Sequence, residues 1–182
     1  MPLGRSRNAP PAQYSVWLLP DTQSEARLLE TVARLSVLLG GPSFVPHLTV
    51  QGDIALPMER IHALVERMAR QCGPLCWTVG RVECSPHFFR CLYLRFPPMA
   101  EFAQLQQLAR RQTATAQGLS PFPHLSLAYG DTHPGNTGLC DILAEEFNGQ
   151  QITFDQLAVC RSSKSVPIPQ WECLARFPLT LS

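Results

Sequence analysis

The 182-residue chain carries little charge: Asp, Glu, Lys and Arg make up 16% of it, and the formal net charge is +1. A surface built to coat a nucleic acid needs a large basic excess, so any contact with a polyanion has to be local. Nor does any run approach the roughly 20 apolar residues that cross a bilayer, and Met1 to Gln13 lacks the apolar stretch of a secretory signal. These absences lead us to expect a soluble, cytoplasmic protein with no membrane partner. Glycine patterns of the P-loop and Rossmann type are missing, as are the clustered carboxylates that hold magnesium and the G-x-S-x-G elbow of serine hydrolases. The seven cysteines (72, 76, 84, 91, 140, 160 and 173) lack the paired C-x-x-C spacing of zinc sites. Cys72 and Cys76 stand four apart, but no second close pair or suitably spaced histidine completes a site. Free thiols, no metal and no cofactor are therefore expected, and the chemistry must come from the chain's own side chains.

What is present is a 45% apolar sequence long enough to bury one core. Residues 1–13 are polar, with adjacent Pro10 and Pro11, and read as a loose tail; residues 14–182 read as one domain. Tyr14 to Leu19 is strand-like. Thr22 with Glu25 makes a capping box for a helix whose apolar positions are Leu28, Leu29, Val32, Leu35, Leu38 and Leu39, stopped at Gly40-Gly41-Pro42. A strand follows from Phe44 to Gln51, then a helix from Pro57 through Ile61, Leu64, Val65 and Met68, and a strand from Cys76 to Glu83. The cycle begins again, with strands at Phe89 to Phe96 and Phe122 to Tyr129, helices around Phe102 to Ala109 and Leu139 to Phe147, and strands at Gln151 to Cys160 and Gln170 to Phe177. The order β-α-β-α-β appears twice, over about 14–83 and 88–178, which suggests an α+β molecule of two similar lobes around a shared cleft.

One phrase recurs at equivalent places in these halves: Pro46-His47-Leu48-Thr49-Val50 and Pro123-His124-Leu125-Ser126-Leu127. A single histidine in an apolar strand reads as structural; two in the same setting read as one site made of matching halves. Strand alternation puts His47 with Thr49 and His124 with Ser126, while the intervening apolar residues face the core. Two imidazoles with ordinary pKa values of about 6.5 can hold one neutral and one protonated ring near neutrality. That pairing suits attack of water on a phosphodiester with protonation of the departing oxygen, and the two hydroxyls can donate to the phosphate oxygens. His62, His87 and His133 have no such partners and read as surface residues.

The paired His-x-(Thr/Ser) motifs resemble those of the 2H phosphoesterase superfamily. Tyr14 to Pro20, Gly41 to His47, Pro123 to Tyr129, Leu157 to Cys160 and Trp171-Glu172 resemble the plant and yeast cyclic phosphodiesterases in particular. The resemblance implies the LigT-like 2H fold, a bilobal, pseudo-symmetric α+β arrangement with antiparallel sheets flanking a central cleft. It implies hydrolysis of ADP-ribose 1″,2″-cyclic phosphate to ADP-ribose 1″-phosphate and of nucleoside 2′,3′-cyclic phosphates to 2′-phosphates. It further implies His47 and His124 as catalytic, Thr49 and Ser126 as phosphate-binding, and Trp17 and Tyr129 as aromatic positions near the substrate. The family's usual assignment makes His124 the base and His47 the acid; the residues themselves leave the order open. Strict alternation turns Tyr129 away from His124 unless the strand ends or bulges before it. Val50-Gln51-Gly52 and Ser165 to Pro169 depart from the plant pattern, and Arg161 and Lys164 either meet a distal phosphate or solvate a hairpin, of which solvation is the expectation.

The expected partner is a small cyclic-phosphate nucleotide, bound by a monomer with no stable nucleic-acid partner. Two alternatives stay open. A 2′-5′ or 3′-5′ RNA-processing phosphodiesterase would use the same pair but needs a track for further phosphates. A non-catalytic nucleotide- or RNA-binding module would bind without turnover.

Overall fold

The computed structural model describes residues 13–131 and 137–181. All of the expected tail but Gln13, and His133 as well, lie outside the described residues. Strand β1 (Tyr14–Pro20) is buried along its whole length. Helix α1 (Thr22–Leu39) follows it, but its cap is Asp21 rather than the expected Thr22: the Asp21 carboxylate accepts from the Ser24 amide at 2.8 Å. The helix ends on Gly40, whose φ of 66° suits a residue without a Cβ. Leu28, Val32 and Leu35 face the core, whereas Leu29 and Leu38, expected on the same stripe, are exposed.

Strand β2 (Leu48–Ile54) begins later than the expected Phe44, and helix α2 (Met58–Ala69) buries Ile61, Leu64, Val65 and Met68. The single strand expected over Cys76 to Glu83 is two strands, β3 (Leu75–Thr78) and β4 (Arg81–Cys84). The chain changes partners between them: the Val79 amide donates to Gln150 and the Gly80 amide to Arg95. A 3-10 turn at Phe88–Arg90 shortens the next strand to β5 (Leu92–Arg95), followed by α3 (Ala100–Thr113), β6 (His124–Ala128), α4 (Thr137–Phe147), β7 (Gln151–Arg161) and β8 (Glu172–Pro178).

The strands form one antiparallel eight-stranded sheet in the order β3-β7-β1-β2-β6-β5-β4, with β8 also on β7. Both β3 and β8 share the edge of β7 opposite β1, β3 beside Gln151 to Phe154 and β8 beside Gln156 to Arg161. The two sheets anticipated from the sequence are thus joined edge to edge, through the Leu48–Leu125 pair of β2 and β6. This seam brings the two histidine motifs together. Helices pack crosswise over it, α1 on β6 and α3 on β2, while α2 covers β7 and β8 and α4 covers β4.

Leu48, Val50, Leu125 and Leu127 have no solvent exposure. Each contributes about 1.5–3 kcal/mol on burial, so a register slip that turned them outward would be costly, and the intervening polar residues are held on the opposite face. Among the described residues no helix is long and apolar enough to cross a membrane. All seven cysteines are free thiols, with Cys160 and Cys173 bringing their sulfurs within 2.8 Å across β7 and β8.

Candidate active site

The face of the seam opposite the helices is a cleft of about 270 Å³, lined by residues of both motifs. His47 and His124 enter it from the starts of neighbouring strands and are anchored alike. His47 Nδ1 lies 2.7 Å from the Val45 carbonyl and His124 Nδ1 lies 3.0 Å from the Phe122 carbonyl, each two residues back along the chain. A carbonyl oxygen only accepts, so both Nδ1 atoms carry hydrogen and both Nε2 atoms are left to act as acceptors.

The surroundings of the two rings differ. His47 is 6% exposed and lies flat on Trp17, with ring centroids 3.6 Å apart and planes 9° apart. His124 meets the edge of Tyr93 and has Arg90 and Arg95 nearby; both guanidinium groups lie over Phe122, at 4.9 and 4.1 Å from its ring centre. Arg95 is paired with Glu83 at 3.2 Å, whereas Arg90 Nε is buried with no hydrogen-bond partner among the described residues.

Burial lowers His47 to a pKa of about 4, with a smaller push from His124 and opposition from the Val45 hydrogen bond. It lowers His124 to about 4 as well, helped by repulsion from Arg90 and Arg95 against the Phe122 hydrogen bond. The unliganded site therefore holds two neutral rings near neutral pH.

All six residues singled out from the sequence line this cleft: Trp17, His47, Thr49, His124, Ser126 and Tyr129. Ser126 is buried and its hydroxyl donates to the Phe89 carbonyl at 3.0 Å. Tyr129 reaches the cleft because β6 ends at Ala128, with a register shift opposite Leu92 and Tyr93 that breaks the alternation. Its ring stacks on Phe44 at 3.8 Å, and burial pushes its phenol up against the opposing hydrogen bond with Ser126. Trp17 is 3% exposed, so its face is occupied by His47 rather than open to solvent.

Sequence reasoning missed Phe89, Ser120 and Trp171, which also line the cleft; Lys164, weighed both for a distal phosphate and for solvating a hairpin, is exposed and stands at the cleft wall. Arg161 does stay outside, 3.7 Å from Glu172. Phe89, in the turn before β5, and Trp171, just before β8, lie nearly parallel, with centroids 5.9 Å apart. An aromatic residue beside a proline loop carries no local mark of a site; only the fold brings these two together. Among the described residues no group of three or more His, Cys, Asp or Glu is placed to hold a metal ion.

No family model matches the chain. It is 27% identical over 167 residues to the cyclic phosphodiesterase of Arabidopsis thaliana, covering 89% of this chain and 92% of that protein. Among solved structures, TT0787 of Thermus thermophilus aligns with a TM-score of 0.61 at 16% identity, covering 93% of this chain and 98% of that one. The LigT protein of E. coli, solved with 3′-AMP, aligns with a TM-score of 0.58 at 18% identity, covering 94% and 99%. The structural likenesses bear on the fold.

Proposed function

We propose that the chain is a 2H phosphoesterase and, within that superfamily, a metal-independent cyclic phosphodiesterase acting on small cyclic-phosphate nucleotides, a reading supported by its 27% identity to a cyclic phosphodiesterase and its LigT-like fold. Its substrates are nucleoside 2′,3′-cyclic phosphates, opened to 2′-phosphates, and ADP-ribose 1″,2″-cyclic phosphate, opened to ADP-ribose 1″-phosphate. The observation that carries this reading is the matched pair of imidazoles. They reach one cleft from adjoining strands, with both Nδ1 atoms committed to carbonyls and both Nε2 atoms left for substrate.

In the reaction a water oxygen bonds to phosphorus as the bond to the departing ring oxygen breaks on the opposite side. One histidine removes the water proton through Nε2, and the other, protonated, gives its Nε2 proton to the leaving oxygen, which departs as a hydroxyl. The flanking groups favour His124 as base and His47 as acid. Arg90 and Arg95 disfavour a charged His124, whereas an imidazolium at His47 would lie against the face of Trp17. The phosphate itself supplies the negative charge that lifts His47 into its protonated form.

Thr49 and Ser126 donate to the non-bridging oxygens as charge develops there, Ser126 by turning its hydrogen away from the Phe89 carbonyl. Trp17 and Tyr129 act from the cleft wall, one behind His47 and the other beside Ser126. Phe89 and Trp171 offer half-buried aromatic surface to a base, and Lys164 offers charge to a distal phosphate.

The test is incubation in EDTA with 2′,3′-cyclic AMP, ADP-ribose cyclic phosphate and a 2′-5′ oligoadenylate, followed by chromatography. Opening of the cyclic compounds to the products named above is expected. No turnover of either would refute the reading, and cleavage of the oligoadenylate instead would move the protein to RNA processing.

A further inference from the structure

The two histidine anchors match except in one respect. His124 Nδ1 has a second neighbour, Ser120 Oγ, at 3.3 Å, and Ser120 Oγ lies 3.0 Å from the Phe122 carbonyl that also receives Nδ1. The hydroxyl hydrogen goes to that carbonyl, because a carbonyl cannot donate. What the hydroxyl then turns toward Nδ1 is a lone pair. Two acceptors facing one ring nitrogen hold the hydrogen there and oppose the other tautomer. Among the described residues, His47 Nδ1 has the Val45 carbonyl and no second acceptor.

Ser120 is itself held by β2 and by α3. Its amide donates to the Val50 carbonyl at 3.4 Å, and its carbonyl accepts from Gln106 Nε2 at 2.7 Å. Val50 lies in β2, one residue beyond Thr49. The loop leading to Ser120 is tied to the same strand: fully buried Gln51 donates to the Thr115 and Gln117 carbonyls at 3.2 and 2.8 Å, and the Gly52 amide donates to Gly118 at 2.7 Å. Gly118 has φ +75°, and a Cβ there would come within 1.9 Å of the Gly52 carbonyl oxygen. So close a contact with backbone leaves room for glycine alone.

We infer that Ser120, which lies outside both histidine motifs, is a positioning residue for His124: as a second acceptor beside the Phe122 carbonyl it reinforces the Nδ1–H tautomer, keeps Nε2 as a lone pair, and sets that ring against β2, the strand bearing Thr49. Its catalytic consequence rests on the proposed function, but its effect on the tautomer does not. Ser120→Ala, and the isosteric pair Ser120→Val and Ser120→Thr, separate the hydroxyl from packing.

Long-range nitrogen–proton correlation spectra should show the Nδ1–H tautomer of His124 dominant throughout, because the Phe122 carbonyl remains, but with a larger Nε2–H share in Ser120→Val and Ser120→Ala than in the wild type and Ser120→Thr. With 2′,3′-cyclic AMP, loss of one hydrogen bond should lower kcat about three- to tenfold with KM little changed, and threonine should restore it. If alanine unfolds the loop, the valine–threonine pair alone carries the test. An unchanged tautomer in folded Ser120→Val would overturn the inference even if the wild type proved inactive. A shifted tautomer with wild-type kcat would overturn the catalytic part of it.

Discussion

Sulfate, a stand-in for phosphate that does not titrate near neutrality, should draw a proton into the cleft. Both rings are held near a pKa of about 4 in the free protein. Protonating one at about pH 7 costs about 4 kcal/mol, three pKa units at roughly 1.4 kcal/mol each. Each negative charge about 4 Å from the ring, at an effective dielectric of about 20, returns about 4 kcal/mol. Sulfate carries two, of which one already balances the cost, so the anion on the Thr49 and Ser126 hydroxyls brings one imidazole to at least half protonation. Calorimetric titration with sulfate, repeated in buffers of different ionisation enthalpy, should therefore give an uptake between about half a proton and one proton per anion bound near pH 7. Proton spectra should assign that proton to His47, whose imidazolium has the face of Trp17. Sulfate binding without proton uptake, or both rings titrating near 6.5 in the free protein, would refute the reasoning; uptake by His124 would reverse acid and base.

Two further outcomes are expected. Because His47 titrates below its ordinary value when folded, the unfolded chain binds more protons between about pH 6.5 and pH 4. Stability should then be complete above that window and fall as pH drops through it, by up to about 3 kcal/mol for His47. Urea unfolding should show this slope in the wild type and a shallower one in His47→Gln, and equal slopes would contradict it. Trp17→Phe should keep activity within a few-fold, whereas Trp17→Leu, which removes the stack on His47, should lower kcat about three- to tenfold. Equal kcat values in the two variants would remove the stack from the account.

Much of this site is legible in the sequence because alternation is a strong local rule. In Pro46 to Val50 and Pro123 to Leu127, the apolar residues face the core and the histidine and hydroxyl residues face the cleft, as the spacing implies. Tyr129 follows from the same rule through its exception, the end of β6 before it. The features not legible are those decided between distant segments. The break between β3 and β4 depends on Gln150 and Arg95 claiming successive amides, and nothing local to Val79-Gly80 announces it. Asp21 displaces Thr22 as the cap because its amide is also bonded to Thr153 on β7. Ser120 lies in an ordinary Ser-Pro step, and its relation to His124 becomes visible only when the loop is tied to Val50 and Gln51.

The claim at the centre is that two histidines from matching strands divide proton removal and proton donation between them. The most direct measurement is kcat for 2′,3′-cyclic AMP in His47→Ala, His124→Ala and the double variant, with far-ultraviolet circular dichroism to verify folding. Each single variant should stay folded and lose about 10²–10⁴-fold, and the double should lose little more than the worse single, because the groups act as a unit. Near wild-type turnover in either folded single variant would contradict the account.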